Sequence, residues 1–158
     1  MDVAIYHPWL KEKGGMEKVT LKYAQKTSHD VTIYTGYYEP EKTFKEFQNL
    51  EIKEINKHKE LGGFIDRLYR FEIKNIFKKI DLDQYDAFLI STSGVGTSIT
   101  LRNNELPVYT YTHTPLRTAL PEFKQSYLED INPLLRPIYG TATKFFAWLE
   151  NKSYQKVD

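Results

Sequence analysis

Val3-Ala4-Ile5-Tyr6, then Gly14-Gly15-Met16, then Asp30-Val31-Thr32-Ile33-Tyr34-Thr35: these three pieces decide the fold. The first is a short apolar run that reads as a buried strand ending at His7-Pro8. A polar turn, Lys11-Glu12-Lys13, leads to the glycine pair. From Met16 the residues Met16, Val19, Thr20, Tyr23 and Ala24 recur at helical spacing and predict one buried helix face. The third piece is rich in β-branched residues and reads as a second strand. Strand, glycine turn, helix and strand within about 35 residues make a βαβ unit, and that implies a parallel sheet.

Outward from this unit the alternation continues. A short helix at 41–47 and an edge strand near 51–55 are expected. A longer helix over about 61–80 is predicted to line one side with Leu61, Ile65, Leu68, Tyr69, Ile73, Ile76, Phe77 and Ile80. Tyr85-Asp86-Ala87-Phe88-Leu89-Ile90-Ser91 is the clearest buried strand, and it runs into the small-residue loop Thr92-Ser93-Gly94-Val95-Gly96-Thr97-Ser98. A short helix to about residue 102 follows, then the strand Pro107-Val108-Tyr109-Thr110-Tyr111-Thr112, which delivers His113-Thr114-Pro115 at its end. Residues 121–156 read as helical, with a break around Pro133 and Pro137. The pattern predicts one α/β domain over 1–158: a doubly wound, mostly parallel, Rossmann-like sheet flanked by helices. In such sheets ligands bind beyond the C-terminal strand ends, so segments 7–16, 91–98 and 113–117 should share one rim.

Composition narrows the chemistry. The 158 residues carry a net charge of +1, so the overall balance points to no nucleic-acid partner. There is no cysteine, which removes disulfides and thiolate nucleophiles, and the four scattered histidines show no metal-ligand spacing, so no metal is expected. No leader precedes Asp2-Val3 and no apolar run approaches the roughly 18 residues of a membrane span, so the expected location is cytoplasmic. His58, Lys59, Arg67, Arg70, Lys74, Lys78 and Lys79 interleave with Phe64, Tyr69, Phe71 and Phe77. Such a helix either lies peripherally on the inner, anionic face of a membrane or packs with a solvated basic face.

The loops carry the candidate chemistry. Gly14, Gly15 and Met16 open a helix, where backbone amides can approach a diphosphate; the bland alternative is a connecting turn. GxGxxG is absent from KEKGGMEK, Tyr34-Thr35-Gly36 lacks the acidic ribose ligand, and Gly94-Val95-Gly96 lacks a third glycine, all of which disfavour a nicotinamide or flavin oxidoreductase. No P-loop and no Gly-x-Ser-x-Gly elbow occur. His113 at a strand end can donate to or accept from a sugar hydroxyl or a phosphate oxygen, or can simply bond a backbone carbonyl. Arg117 can bind phosphate through its fork of donors or form a surface salt bridge. Ser91, Ser93, Thr97 and Ser98 offer hydroxyls and backbone donors near the same rim.

These pieces together resemble the N-terminal domain of family 4 glycosyltransferases, which have the GT-B architecture. Gly14-Gly15-Met16-Glu17-Lys18-Val19 is similar to the family's Gly-Gly loop and first helix, and His29-Asp30-Val31-Thr32-Ile33-Tyr34-Thr35 to its second strand. Tyr85-Asp86-Ala87-Phe88-Leu89-Ile90-Ser91 resembles a later strand, and Tyr111-Thr112-His113-Thr114-Pro115-Leu116-Arg117 a segment of a mannosyltransferase-like branch. The resemblance implies a retaining hexosyltransferase that needs no cofactor beyond its nucleotide-diphosphate sugar donor. It implies donor contact by Gly14, Gly15 and Met16, a catalytic role for His113 beside the donor sugar, and acceptor contact by Arg117, Thr114 and Ser93. It implies a glycan or lipid-linked acceptor and a C-terminal nucleotide-sugar domain as the chain's own missing partner, leaving residues 1–158 inactive alone. A non-catalytic Rossmann-like binding module is the alternative from another class.

Overall fold

The structure, a computed structural model, describes residues 1–55, 72–94, 96–114 and 132–158. Five strands form one sheet: β1 (Asp2–Leu10), β2 (Asp30–Tyr38), β3 (Glu51–Glu54), β4 (Ala87–Thr92) and β5 (Val108–Thr112), in the order β3-β2-β1-β4-β5. Every neighbouring pair is parallel, so the expected mostly parallel sheet is parallel throughout its described strands. Helix α1 (Gly15–Lys26) crosses from β1 to β2. Residues 72–77 form α2, and Arg136–Tyr154 form α3 after a 3-10 turn at Pro133–Leu135, the break that the two prolines announce. The helix expected at 41–47 is a 3-10 turn at Lys45–Asn49, and that after the small-residue loop is another at Thr97–Leu101.

Both sheet faces are covered, as parallel sheets require. The alternation of β1 shows it directly. Val3 and Ile5 join Leu21 of α1 and Ile33 in one apolar cluster, while Ala4 and Tyr6 join Phe88, Ile99, Phe146 and Leu149 in the other. Ile5 is fully buried, and burial of that side chain contributes about 2 kcal/mol.

β1 runs on to Leu10, beyond the expected stop at His7-Pro8, but only toward β2. His7 pairs with Thr35 and Trp9 with Tyr37, whereas pairing with β4 ends at Tyr6 opposite Ile90. Strand order reverses between β1 and β4, so a crevice opens there at the C-terminal strand ends. Gly96 closes part of it. Its φ is +97°, and a Cβ on it would lie 2.9 Å from both Pro8 and Tyr6, so only glycine fits.

The helix faces differ from the sequence pattern. On α1 the buried residues are Glu17, Thr20 and Leu21, while Val19 and Tyr23 are exposed. On α2, Glu72 and Asn75 are buried and Ile73 and Phe77 exposed. Thr20 meets Ser91 of β4, Asn75 accepts from Tyr6 of β1, and Glu72 accepts from Gly96 and Ser98 after β4, so polar partners outweigh apolar periodicity at these three positions, while Glu17 lies beside His7. The expected helix over 61–80 is described only from residue 72, and it ends at 77; the earlier part of the basic, aromatic stretch lies outside the described residues.

Candidate active site

A chain of polar contacts crosses the crevice on the α1 side of the sheet. It begins at Gly14, the residue before α1. Gly14 has ordinary extended backbone (φ −89°, ψ 176°), but a Cβ there would collide with Glu17 Oε2. From the first turn of α1, Glu17 reaches under the loop toward β1, and its Oε1 lies 3.7 Å from His7 Nε2. Both side chains are buried, and neither of these two atoms has a hydrogen-bond partner at shorter range. His7 Nδ1 is 3.0 Å from Thr20 Oγ1, one turn further along α1. Thr20 Oγ1 is 2.8 Å from Ser91 Oγ on β4, and Ser91 Oγ is 3.1 Å from His113 Nε2.

The placement follows from strand register. Odd-numbered residues of β1 face α1, so His7 continues the row of Val3 and Ile5. Ala87 and Leu89 lie opposite Val3 and Ile5, which puts Ser91 on the same face beyond the last β1–β4 pair. Ser91 in turn lies opposite Tyr111, two residues before His113. The His113 amide donates to Thr92 O at 2.8 Å, extending the β4–β5 ladder, and its ring meets Tyr111 edge-on at 4.7 Å. Burial, reinforced by nearby His7 and opposed by Glu17, holds the His113 imidazole below the usual histidine range. His113 is therefore neutral at physiological pH and can exchange single hydrogen bonds with an uncharged group.

The opposite face of the crevice is built by α2. Glu72 Oε1 accepts from the Gly96 amide and Glu72 Oε2 from the Ser98 hydroxyl. Complete burial pushes the Glu72 carboxyl up to about 7, against the lowering effect of those two donors. Tyr6 donates to Asn75 Oδ1 at 3.0 Å on the same side. Burial, with Glu72 adding to it, raises the Tyr6 phenol well above its ordinary value, so it stays neutral.

Each residue expected at the site can now be placed. Gly14, Gly15 and Met16 open α1, with Gly15 exposed and open space where a Cβ would go. At position 14 a Cβ would meet the end of the Glu17 side chain. His113 is tied to the α1 loop through Ser91, Thr20, His7 and Glu17. Ser93 and Thr114 follow β4 and His113, half-buried at the same strand ends. Arg117 lies outside the described residues. Sequence reasoning missed His7, Glu17, Thr20 and Glu72. The one signal for them was polar residues spaced for an inward helix face, Glu17 with Thr20 and Glu72 with Asn75.

Among the described residues no cluster of three or more histidine, aspartate or glutamate side chains could hold a metal ion. No described helix is long and apolar enough to cross a membrane. No family model matches the chain, and no curated protein matches it. A solved structure that resembles it is the apo form of a lipopolysaccharide outer core galactosyltransferase, WaaB, at 12% identity and a TM-score of 0.45 over 72% of this chain. The chain spans 33% of that enzyme's length. A likeness this distant assigns neither a family nor an activity.

Proposed function

We propose that this domain is the acceptor-side half of a GT-B glycosyltransferase, one that moves a hexose from a nucleotide-diphosphate sugar to a glycan or lipid-linked acceptor with retention. One observation carries the reading: the Gly14–Glu17 loop and His113, far apart in sequence, are joined by continuous contacts across the β1/β4 switch point. A diphosphate needs amide donors at a helix start, and Gly15 offers them on the exposed side of the loop. A hexose beside it needs a neutral group for its hydroxyls, and His113 supplies one at the neighbouring strand end. Met16 completes the donor loop, and Ser93, Thr114 and Arg117 would serve the acceptor.

A nucleotide-sugar domain following residue 158 would complete the site. Asp158 exchanges two bonds with Val108 at the start of β5, its amide to Val108 O at 2.8 Å and Val108 N to its carboxylate at 2.7 Å. Asp86 makes the same pair on Asp2 immediately before β4.

The test assays the full-length protein against a panel of nucleotide sugars, and repeats the assay with His113→Ala. Transfer falling by about a hundredfold or more in the variant is expected, the usual scale for losing a group at the reacting centre. An unchanged rate would remove His113 from the site. Absence of transfer or donor hydrolysis with every sugar would overturn the glycosyltransferase reading and leave the binding module.

A further inference from the structure

We infer that the outer surface of α2 and α3 is a docking surface for an anionic lipid bilayer, with α3 lying in the plane of the headgroups. The inference stands on the two helices alone and does not depend on the transfer reaction proposed above.

Both helices cover one face of the sheet. Ile76 of α2 packs against the cluster that holds Phe146 and Leu149 of α3. A helix with one buried stripe ordinarily turns polar residues outward. α3 departs from that. Phe146 and Leu149 are buried, yet Phe145 and Trp148 beside them are 45% and 55% exposed and stack on each other at 5.8 Å. On α2, Ile73 and Phe77 are exposed one turn apart, while Asn75 between them is buried. Leu134, in the 3-10 turn that leads into α3, is exposed as well. Single exposed apolar residues are ordinary on a protein surface, but two helices of one layer that each present a pair make a patch.

Charge selects the occupant. Lys144 and Lys152 stand four residues to either side of Trp148, on the same helix face, and both are exposed. On α2 and just after it, Lys74 and Lys78 flank Ile73 and Phe77. The acids of the two helices are turned elsewhere. Glu72 is buried against Gly96 and Ser98, and the half-buried Glu150 acts on Glu72 from α3. The exposed charges on these two helices are therefore positive. Contact surfaces for protein partners are depleted in lysine at their centre. Aromatic rings set among lysines match a bilayer instead: its interface takes the rings and its anionic headgroups attract the amines. No described helix is apolar enough to cross a membrane, so the contact lies on the surface.

Co-sedimentation of the full-length protein with vesicles tests this. Binding is expected to phosphatidylcholine vesicles that carry about a third phosphatidylglycerol, and should be about tenfold or more weaker to phosphatidylcholine alone. Lys144→Gln with Lys152→Gln should weaken binding about thirtyfold, at about fivefold for each lysine held near an anionic surface. Phe145→Ser with Trp148→Ser keeps the charge and should weaken it about tenfold or more, because the rings no longer enter the interface. Lys18→Gln with Lys22→Gln removes the same charge from exposed positions on α1, across the sheet, and should change binding by less than about twofold. Equal binding to both kinds of vesicle overturns the proposal, and so does an equal loss in the α1 variant or no loss in the α3 lysine variant. Failure to bind either vesicle, with self-association that Trp148→Ser abolishes, overturns it and gives the surface to a second copy. If the aromatic variant does not fold by circular dichroism, the lysine pair decides alone. Vesicle binding together with failed transfer assays discards only the proposed function.

Discussion

Glu17 and Glu72 are both carboxylates buried on the inward face of a helix, on opposite sides of one sheet, and they differ in what meets them. Glu72 has a donor on each oxygen, the Gly96 amide and the Ser98 hydroxyl, and shapes a loop. Glu17 has a single imidazole at 3.7 Å on one oxygen and the crowded Gly14 backbone near the other. One carboxylate is satisfied and structural. The other is under-satisfied on Oε1 and lies beside His7, whose other nitrogen is linked through Thr20 and Ser91 to His113 at the rim. Buried polar groups short of partners are expected where structure serves function rather than stability.

Removing each group should expose the difference. Glu72→Ala leaves the Gly96 amide and Ser98 without their acceptor and opens a cavity, and it should cost about 3–4 kcal/mol in denaturant unfolding. A loss under about 1 kcal/mol would mean that Glu72 does not hold the loop. Stability should also depend on pH through Glu72. Its folded value, about 7, lies above the ordinary 4.5, so the folded state binds the proton more tightly. Its contribution is complete below about pH 4.5, is lost as pH rises through about 7, and amounts to on the order of 3 kcal/mol. Glu72→Gln cannot titrate and should flatten this slope; an equally steep slope in that variant would assign the titration elsewhere.

Gly96→Ala tests the loop from its other side. The positive φ and the 2.9 Å contacts to Pro8 and Tyr6 should make it destabilising by about 2 kcal/mol in thermal or denaturant melts. Glu17→Ala leaves only one imidazole nitrogen without its neighbour, so the stability loss should be smaller, about 1–2 kcal/mol. A stability loss matching that of Glu72→Ala would erase the contrast. The smallest effect is expected at Val19→Lys. Val19 lies in the apolar pattern of α1 but on its exposed side, and the change should stay within about 0.5 kcal/mol.

Residues in sequence alone determined the alternation of elements and the rim. Val3-Ala4-Ile5-Tyr6, the glycine pair and Asp30-Val31-Thr32-Ile33-Tyr34-Thr35 specify a parallel βαβ unit, because strand and helix periods are local and side-chain alternation follows from backbone geometry. The same locality placed His113 at the end of β5 and Gly14–Gly15 at the start of α1. Only tertiary structure decided which side of α1 turns inward. Thr20 finds Ser91 across 71 positions and Ser91 finds His113 across 22, and no periodicity within a helix encodes such partners. Helical spacing pointed to Met16, Val19, Thr20, Tyr23 and Ala24, and of these Thr20 is buried while Val19 and Tyr23 are exposed. The fold added Glu17 to Thr20 on that inward side because a buried polar strand end, His7 beside Ser91, must be matched by polar groups or lose the hydrogen bonds it had in water.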